Sequence, residues 1–355
     1  MKRGKMRILV FGAGPLGSLI AARLLEGGLA VTLLARGQRL EELKQHGLAL
    51  KSWSNGAEEV HQIPLVDHLD ADDIYDLILV VMRKNSVLKT LPILAANRSK
   101  RILFLMNNAA GPQALTEALG EERVLIGFAG MAGYRDGECI VFLNAEEGRP
   151  GVIYLGEPGG GTSARLEETA AILRQGKHLS AQIEPEMDAW SKYHVAMLFP
   201  GLAPALYLCG NDNYRMARTR DGLVLAWRAM LEGFRVLRKL GYPVRPAALK
   251  KFTWLPEPLA VPLLSRLMAN PRMEVAMVRH AEVIRDEITQ LNDEFMGLVE
   301  TSGEFTPTIR FLINQYKNRA PALPDGSRSI RLHWSGVLVP VLLMICLGLL
   351  VALIF

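Results

Sequence analysis

Three glycines near the amino terminus have the spacing of a turn that binds a dinucleotide. Gly12, Gly14 and Gly17 follow the apolar run Arg7–Phe11 and lead directly into a second apolar stretch. In such a turn the first glycine allows the tight bend, the second lets a pyrophosphate approach the backbone, and the third lets the helix pack closely on the strand. Pro15 suits the first helical turn, where a missing N–H group costs nothing. These residues predict a strand, a turn and a helix that hold a dinucleotide cofactor.

A glycine turn of another kind is the alternative, and the sequence that follows distinguishes the two. The dinucleotide fold requires a second strand roughly 20 residues further on, and residues 29–35 form an apolar, β-branched run there. Arg36 stands next, where an enzyme specific for NAD carries an acid that binds the ribose. Because an arginine pairs with the 2′-phosphate of NADP, the sequence favours NADP(H). Arg39 could share this role, and an ordinary surface arginine is the other interpretation of Arg36.

Polar side chains also follow two further apolar runs. Residues 76–82 end at Arg83, and residues 101–106 end at Asn107 and Asn108. In open α/β sheets the carboxyl ends of the strands face the ligand crevice. The arginine and the asparagines are therefore predicted to contact cofactor or substrate. A solvated loop charge and simple turn chemistry are the alternatives.

The pattern of apolar residues divides the chain in two. Further strands are predicted at 124–129, 139–143 and 151–156, all continuing the same sheet, whereas past Glu186 helical periodicity takes over at about 187–199, 223–240, 273–301 and 308–316. The predicted fold is an amino-terminal α/β domain with a mostly parallel sheet, followed by an all-α domain. The expected boundaries are 1–186 for the first domain, 187–317 for the second, 318–336 for a linker and 337–355 for a membrane segment.

Composition limits the possible partners. The 355-residue chain carries a formal net charge of only +5, with the basic residues dispersed, so no nucleic-acid partner is predicted. The three cysteines and the histidines show no spacing typical of metal ligands, and no metal site is predicted. Cysteine usage of this kind is typical of a reduced, cytosolic environment.

The carboxyl-terminal residues have the composition of a transmembrane helix. The segment from Val337 to Phe355 contains no charged residue. It is just long enough to cross a hydrocarbon core as a helix. Arg328, Arg331 and Trp334 precede it, a basic and aromatic flank typical of the cytoplasmic interface. The sequence therefore predicts a single-pass anchor with the enzyme domains in the cytoplasm. A buried dimerisation helix is the alternative, and a homodimer is a further partner that the sequence allows.

Taken together, these motifs resemble the ketopantoate reductase (2-dehydropantoate 2-reductase) family. The resemblance is carried by the glycine turn, by residues 31–37, by Asn107 and by Trp190-Ser191-Lys192, and it spans roughly 6–316. It implies a Rossmann domain and an NADPH-dependent reduction of a 2-oxo acid to a 2-hydroxy acid. It also implies that Lys192 is the proton donor, because hydride delivery to a carbonyl leaves an alkoxide that an ammonium stabilises and protonates.

The resemblance assigns further site residues. Asn107 and Asn211 are implied substrate contacts, and Arg83 stands where the family usually has a lysine. The implied cofactor contacts are Gly12, Ala13, Gly14, Pro15, Leu16, Gly17, Arg36, Arg83, Asn107, Gly133 and Glu287.

This chain also departs from the family pattern. Ala196 and Pro200 stand where the family has asparagines one and two turns after the catalytic lysine, Val275 replaces a serine, and a third asparagine falls on Gly210, next to Asn211. Three functions follow as hypotheses: a membrane-tethered reductase of a 2-oxo acid less polar than ketopantoate, a non-catalytic NADP-binding sensor or scaffold, and a true ketopantoate reductase.

Overall fold

The computed structural model describes residues 6–279 and 284–334. Twelve strands occur within these residues. They are β1 (Arg7–Phe11), β2 (Ala30–Leu34), β3 (Leu48–Ser52), β4 (Glu58–His61), β5 (Leu65–Val66), β6 (Leu77–Val80), β7 (Ile102–Leu105), β8 (Val124–Gly130), β9 (Gly133–Asp136), β10 (Cys139–Phe142), β11 (Gly151–Gly156) and β12 (Leu179–Ile183).

Eight of the strands form the main sheet, in the order β12-β11-β8-β7-β6-β1-β2-β5. All neighbours are parallel except β11, which runs antiparallel to β8. Alternate residues of β1 pack on opposite faces: Ile8 and Val10 join one hydrophobic core, whereas Leu9 and Phe11 join the other. Burial on both faces explains why these strands are continuous apolar runs. The predicted mostly parallel sheet is confirmed.

The remaining four strands form a small separate sheet in the order β4-β3-β10-β9. The prediction that strand 139–143 continues the main sheet is therefore wrong, because β10 pairs with β3 and β9. In the main sheet β11 takes the place beside β8. Gly133, which the family resemblance assigns to the cofactor, lies in β9 opposite Phe142. A Cβ atom at this position would lie 2.8 Å from the carbonyl oxygen of Val141, so the close pairing of β9 with β10 requires a glycine.

The described residues form two compact units. The first contains the residues up to Val195 together with those of Arg279–Phe295, and the second contains Ala196–Val278 and the residues from Met296 onward. The helices of the first unit are Pro15–Glu26, Gln38–His46, Lys84–Val87, Leu91–Ala96, Gln113–Leu119 and Ala164–Leu173, with 3-10 turns at Leu88–Thr90 and Glu121–Arg123. Two helices, Met187–Met197 and Arg285–Ser302, have residues in both units.

The boundary between the units differs from the predicted one after Glu186. Met187 and Trp190 are buried in the hydrophobic core of the sheet, so the start of the helix Met187–Met197 packs with the first unit. The helix predicted over 273–301 is also not continuous, since Glu274–Val278 forms a π-helical turn and the following described helix begins at Arg285.

Within the described residues, the second unit contains helices and no strand, as predicted for the carboxyl-terminal domain. They are Ala203–Leu208, Asn213–Arg218, Arg220–Lys239, Leu249–Phe252, Glu257–Met268 and Pro307–Lys317. Pro200 does not end the preceding helix, because a π-helical turn at Leu198–Leu202 carries the chain into Ala203–Leu208. In a wider turn of this kind the helix continues without the backbone N–H hydrogen bond that a proline cannot donate.

The predicted linker is held against the second unit. Asp325 pairs with Arg218 at 2.6 Å, and the carboxylate of Asp221 accepts hydrogen bonds from the backbone N–H groups of Ser329 and Ile330 at 2.9 Å. The segment is thus ordered along its described part and does not act as a free tether.

No helix between residues 6 and 279 or between 284 and 334 combines the length and the apolarity needed to cross a membrane. The predicted transmembrane segment, residues 337–355, lies outside the described residues.

Candidate active site

The glycine turn has the backbone geometry that its sequence predicts. Gly12 has a φ of +127°, and a Cβ atom there would lie 2.4 Å from the carbonyl oxygen of Val81. A Cβ atom on Gly17 would lie 1.9 Å from the carbonyl oxygen of Gly12, so neither position accepts a side chain without movement. Gly14 differs, because its Cβ direction meets no atom within 4 Å.

The open side of Gly14 fits a dinucleotide. Gly14 precedes the helix Pro15–Glu26, and its carbonyl oxygen accepts the hydrogen bond from Ser18 N at 2.9 Å. The first N–H groups of a helix point at the space before it, where an anion is stabilised by them and by the helix dipole. The turn therefore presents an unobstructed backbone to a pyrophosphate.

Two arginines follow β2, and they lie in different surroundings. Arg39 is largely buried, with Nη1 at 3.4 Å from Glu42 Oε2 and at 3.3 Å from the carbonyl oxygen of Glu138. Arg36 is exposed, and within the described residues its side chain makes no hydrogen bond or ion pair. Arg36 is thus the arginine that is available to a 2′-phosphate beyond the end of β2.

The end of β6 places two cations in different surroundings. The side chain of Arg83 is 43% exposed, with Nη1 at 3.6 Å from Asp286 Oδ1. Lys84 is only 4% exposed, although it is the next residue. Its Nζ donates to Asn108 Oδ1 at 2.7 Å and lies 3.9 Å from Glu294 Oε1. Burial lowers the pKa of Lys84. The sequence predicted a cation of the site at this strand end and Arg83 was the residue chosen, because the only signal of Lys84 is its position after an apolar strand.

Asn107 and Glu287 lie beside this lysine. Glu287 is buried, and its Oε1 accepts a hydrogen bond from the backbone N–H of Lys84 at 3.2 Å. Burial raises the pKa of Glu287, and the Lys84 N–H only partly offsets this effect. Asn107 Oδ1 is buried and has no hydrogen-bond partner among the described residues. Because a buried acceptor without a donor is costly, this oxygen fits a bound group that donates a hydrogen bond.

Lys192 lies next to the same loop. It is 2% exposed and pairs with Asp188, one turn earlier in the helix Met187–Met197. A Cβ atom on Gly111 would lie 3.2 Å from Lys192 Nζ, and the carbonyl oxygen of Gly111 accepts a hydrogen bond from Asn108 Nδ2 at 2.8 Å. The loop 107–111 therefore contacts the ammonium of Lys84 through Asn108 and passes close to that of Lys192 at Gly111. The positive charge of Lys192 also contributes to the lowered pKa of Lys84.

Aromatic rings fix the helix that carries Lys192. The ring of Trp190 stacks on Tyr154, with centroids 4.7 Å apart, and on His194, with centroids 5.2 Å apart and planes at 9°. Phe128 contacts His194 at a centroid distance of 4.2 Å. Burial lowers the pKa of His194 to about 4, so this imidazole is neutral near pH 7. His194 lies on the same helix as Lys192 and packs that helix against Phe128 of β8.

The other residues that the sequence singled out lie elsewhere or lack polar groups. Ala196 is fully buried one turn after Lys192, and Pro200 is buried in the π-helical turn. Val275 is buried in the second unit. Asn211, also in the second unit, has a φ of +54° and bonds through its N–H to the carbonyl oxygen of Leu206 at 3.0 Å.

One group of side chains among the described residues has the spacing of a cation site. Its members are Glu26, Glu59 and His61. Arg23 pairs with both carboxylates, at 2.5 Å and 2.6 Å, and Lys177 pairs with Glu26 at 3.1 Å, so two cations already offset their charge. The cluster is an ion-pair network.

Known proteins resemble the chain over most of its length. Residues 8–160 match the family model "Ketopantoate reductase PanE/ApbA". The 2-dehydropantoate 2-reductase of Archaeoglobus fulgidus is 26% identical over 79% of this chain and 91% of its own. That of Halobacterium salinarum is 24% identical over 69% and 80%.

Solved structures share the fold. A 2-dehydropantoate 2-reductase from Geobacter metallireducens aligns with a TM-score of 0.70 and 20% identity, over 89% of this chain and all of its own. A D-mandelate dehydrogenase solved with NADH and anilino(oxo)acetate aligns with a TM-score of 0.72 and 18% identity, over 88% of this chain and 98% of its own. These structural matches show a shared fold, and the family model and the curated relatives show a similarity to ketopantoate reductases.

Proposed function

We propose that the protein is an NADPH-dependent reductase of a 2-oxo acid, with Lys192 as the proton donor. The observation that carries this proposal is a buried lysine, paired with Asp188, beside the loop that holds the unpaired oxygen of Asn107. An oxidoreductase that uses a nicotinamide cofactor agrees with the curated relatives and with the open glycine turn. The substrate, the preference for NADPH and the role of Lys192 are our proposals.

The proposed cofactor contacts all lie in the first unit. The backbone between Gly12 and Gly17 would hold the pyrophosphate, and Arg36 would pair with the 2′-phosphate. Asn107 Oδ1 would accept a hydrogen bond from the cofactor, and Glu287 supports this end of the site through the backbone N–H of Lys84. When bound, the nicotinamide supplies the hydride that the substrate carbonyl carbon accepts.

Lys192 would supply the proton. Addition of a hydride to the carbonyl carbon places a negative charge on its oxygen, and the ammonium of Lys192 both stabilises that charge and neutralises it by proton transfer. Asp188 holds this ammonium in position. The product is then a 2-hydroxy acid, and the lysine recovers its proton from solvent.

Lys84 would bind the substrate carboxylate. A 2-oxo acid carries a negative charge next to its carbonyl group, and a second buried ammonium beside loop 107–111 can pair with it. In the structure this charge is offset by Glu294 at 3.9 Å. A substrate carboxylate would therefore share this ammonium with Glu294.

The substrate would be less polar than ketopantoate. Ala196 offers no hydrogen bond on the face of the helix that carries Lys192, and Val275 offers none in the second unit. A site without such groups does not discriminate in favour of a substrate hydroxyl. The D-mandelate dehydrogenase solved with anilino(oxo)acetate shows that this fold also occurs with an aromatic oxo acid bound.

The second candidate is an NADP-binding sensor without catalysis. The loss of polar residues at 196 and 275 favours it, whereas the buried pair of Lys192 and Asp188 favours the enzyme. Turnover of a 2-oxo acid would distinguish the enzyme from the sensor.

The test follows NADPH absorbance with a panel of aliphatic and aromatic 2-oxo acids. We expect turnover of at least one of them by the full chain. Lys192→Ala should lower kcat by about 10²- to 10⁴-fold without weakening NADPH binding. Lys177→Ala, which removes an exposed lysine paired with Glu26, is the matched control. Binding of NADPH without turnover of any oxo acid would favour the sensor.

We also propose that residues 337–355 anchor the protein in a membrane, on the basis of their uncharged sequence. Sedimentation of the full chain with lipid vesicles tests this, and a truncation before Ser335 should remain in the supernatant. Full-length protein that stays in the supernatant would contradict the anchor.

A further inference from the structure

We infer that the second unit lies on an anionic phospholipid surface, through the helix Glu257–Met268 and the residues directly before it. The contact surface belongs to the folded domain and is distinct from the apolar segment 337–355. It rests on the proposed anchor for its position next to the bilayer. The two can fail separately.

The helix exposes leucines on the side away from its domain. Leu259, Leu263 and Leu267 are 54%, 51% and 48% exposed. Their spacing of four residues places them in one stripe along the helix. Val261 and Met268, on the opposite side, are buried. A surface helix in water normally carries polar side chains on its outer face, and this one carries leucines there.

Large aromatic residues extend this apolar surface. Trp254 is 85% exposed and Phe252 is 46% exposed, and both directly precede the helix. Single exposed apolar residues are ordinary, but five large ones between residues 252 and 267 mark a surface that contacts another apolar phase. Tryptophan favours the boundary between lipid and water, because its ring is apolar and its N–H is polar.

The path of residues 331–334 identifies that phase. His333 N donates to Glu257 Oε1 at 3.0 Å, which fixes the chain at the first residue of the helix. Arg228 holds the same carboxylate at 2.8 Å and also donates to the carbonyl oxygen of Arg331. Trp334 follows and is 52% exposed, and the uncharged residues 337–355 begin three positions later. A segment that enters a bilayer there holds the exposed leucines at its surface.

The charges beside the stripe select anionic headgroups. Lys250, Lys251 and Arg266 are exposed. Arg266 lies three residues after Leu263 and hence on the same face. Glu257 is the single acidic residue between 249 and 268, and it is buried and paired with Arg228. Basic side chains around an apolar stripe are attracted by the negative surface potential of anionic lipids. This charge distribution favours a lipid surface over a second copy of the same basic surface.

The experiment uses the full chain in vesicles of phosphatidylcholine with about one-third phosphatidylglycerol, some carrying brominated acyl chains that quench tryptophan at contact distance. Trp254→Phe should remove a large part of the quenching. Trp53→Phe, in the first unit, is the matched control and should leave it unchanged. Leu263→Glu with Leu267→Glu should reduce the quenching of Trp254 by more than half, while the protein still sediments with the vesicles.

Other occupants of the stripe give different results. If the apolar segment of the same chain covers it, or a second copy does, the protein sediments with vesicles but Trp254 is not quenched, and the inference is overturned while the anchor stands. A protein that does not associate with vesicles overturns both. NADPH binding by each variant verifies that the first unit is folded.

Discussion

The Nζ atom of Lys84 lies 2.7 Å from Asn108 Oδ1, inside the first unit. The neighbouring residue Arg83 has an exposed side chain near Asp286. Of two adjacent cations, one therefore lies in the interior beside loop 107–111, and the other faces solvent. Because an unpaired buried ammonium is costly, a lysine in this position implies a partner of opposite charge or a functional use.

Lys84→Met should weaken substrate binding more than chemistry. The methionine keeps much of the side-chain volume but removes the charge, and a hydrogen bond to a charged group contributes about 1.5–3 kcal/mol, so KM for the oxo acid should rise roughly 10- to 100-fold. Steady-state kinetics separates KM from kcat, and titration calorimetry checks that NADPH binding is retained. Lys177→Met, at an exposed lysine outside the site, is the matched control. An unchanged KM for Lys84→Met would remove the lysine from the substrate site.

Arg36→Asp should abolish or invert the preference for NADPH over NADH. The substitution replaces a cation that would pair with the 2′-phosphate by a carboxylate that repels it and accepts hydrogen bonds from a ribose. The ratio of the two dissociation constants, from titration calorimetry, should change by at least about tenfold, as for the loss of one charge-assisted pair. Arg39→Asp tests whether the second arginine shares the role. Equal affinities of the unmodified protein for the two cofactors would contradict the assignment.

Two glycines of the same turn should respond differently to alanine. Gly17→Ala places a Cβ 1.9 Å from the carbonyl oxygen of Gly12, so the helix must move, and the free energy of unfolding should fall by about 1–3 kcal/mol. Gly14→Ala meets no atom and should leave thermal stability unchanged while it weakens NADPH binding, since the methyl group occupies the approach of the pyrophosphate. Thermal unfolding with and without NADPH measures both effects. A stable Gly14→Ala variant with unchanged affinity would place the pyrophosphate elsewhere.

His194 should make stability depend on pH. Its pKa is about 4 in the folded protein and 6.5 ordinarily, so the unfolded chain binds more protons between these values. The free energy of unfolding should therefore fall as the pH is lowered through this window, by at most about 3 kcal/mol from this group. Denaturant titrations from pH 7 to 4 measure the slope. His194→Phe should make it shallower, whereas His46→Gln, at an exposed histidine, should not. An equal slope in all three proteins would assign the acid sensitivity to carboxyl groups.

Much of the first unit follows from local sequence patterns. The glycine turn, the apolar runs of β1, β6 and β7, and the position of Arg36 after β2 were predicted correctly, because strand and helix periods and the needs of a tight turn involve neighbouring residues. The strand 139–142 was also recognised, but its partner was not. Pairing with β3 depends on residues far away in the sequence, and its apolar pattern suits either sheet.

By itself the sequence determined that a dinucleotide turn exists, that its second strand ends at an arginine, and that Lys192 lies in a helix predicted over about 187–199. Only the tertiary structure determined which of the two cations after β6 is buried. Glu287, 203 residues away in the chain, accepts the hydrogen bond of the Lys84 backbone, and Asn108 accepts that of its ammonium. It also decided that the helix of Lys192 packs with the sheet, since Met187 and Trp190 fill the same core. Burial is a property of contacts between distant segments, and neither residue type nor spacing along the chain contains it.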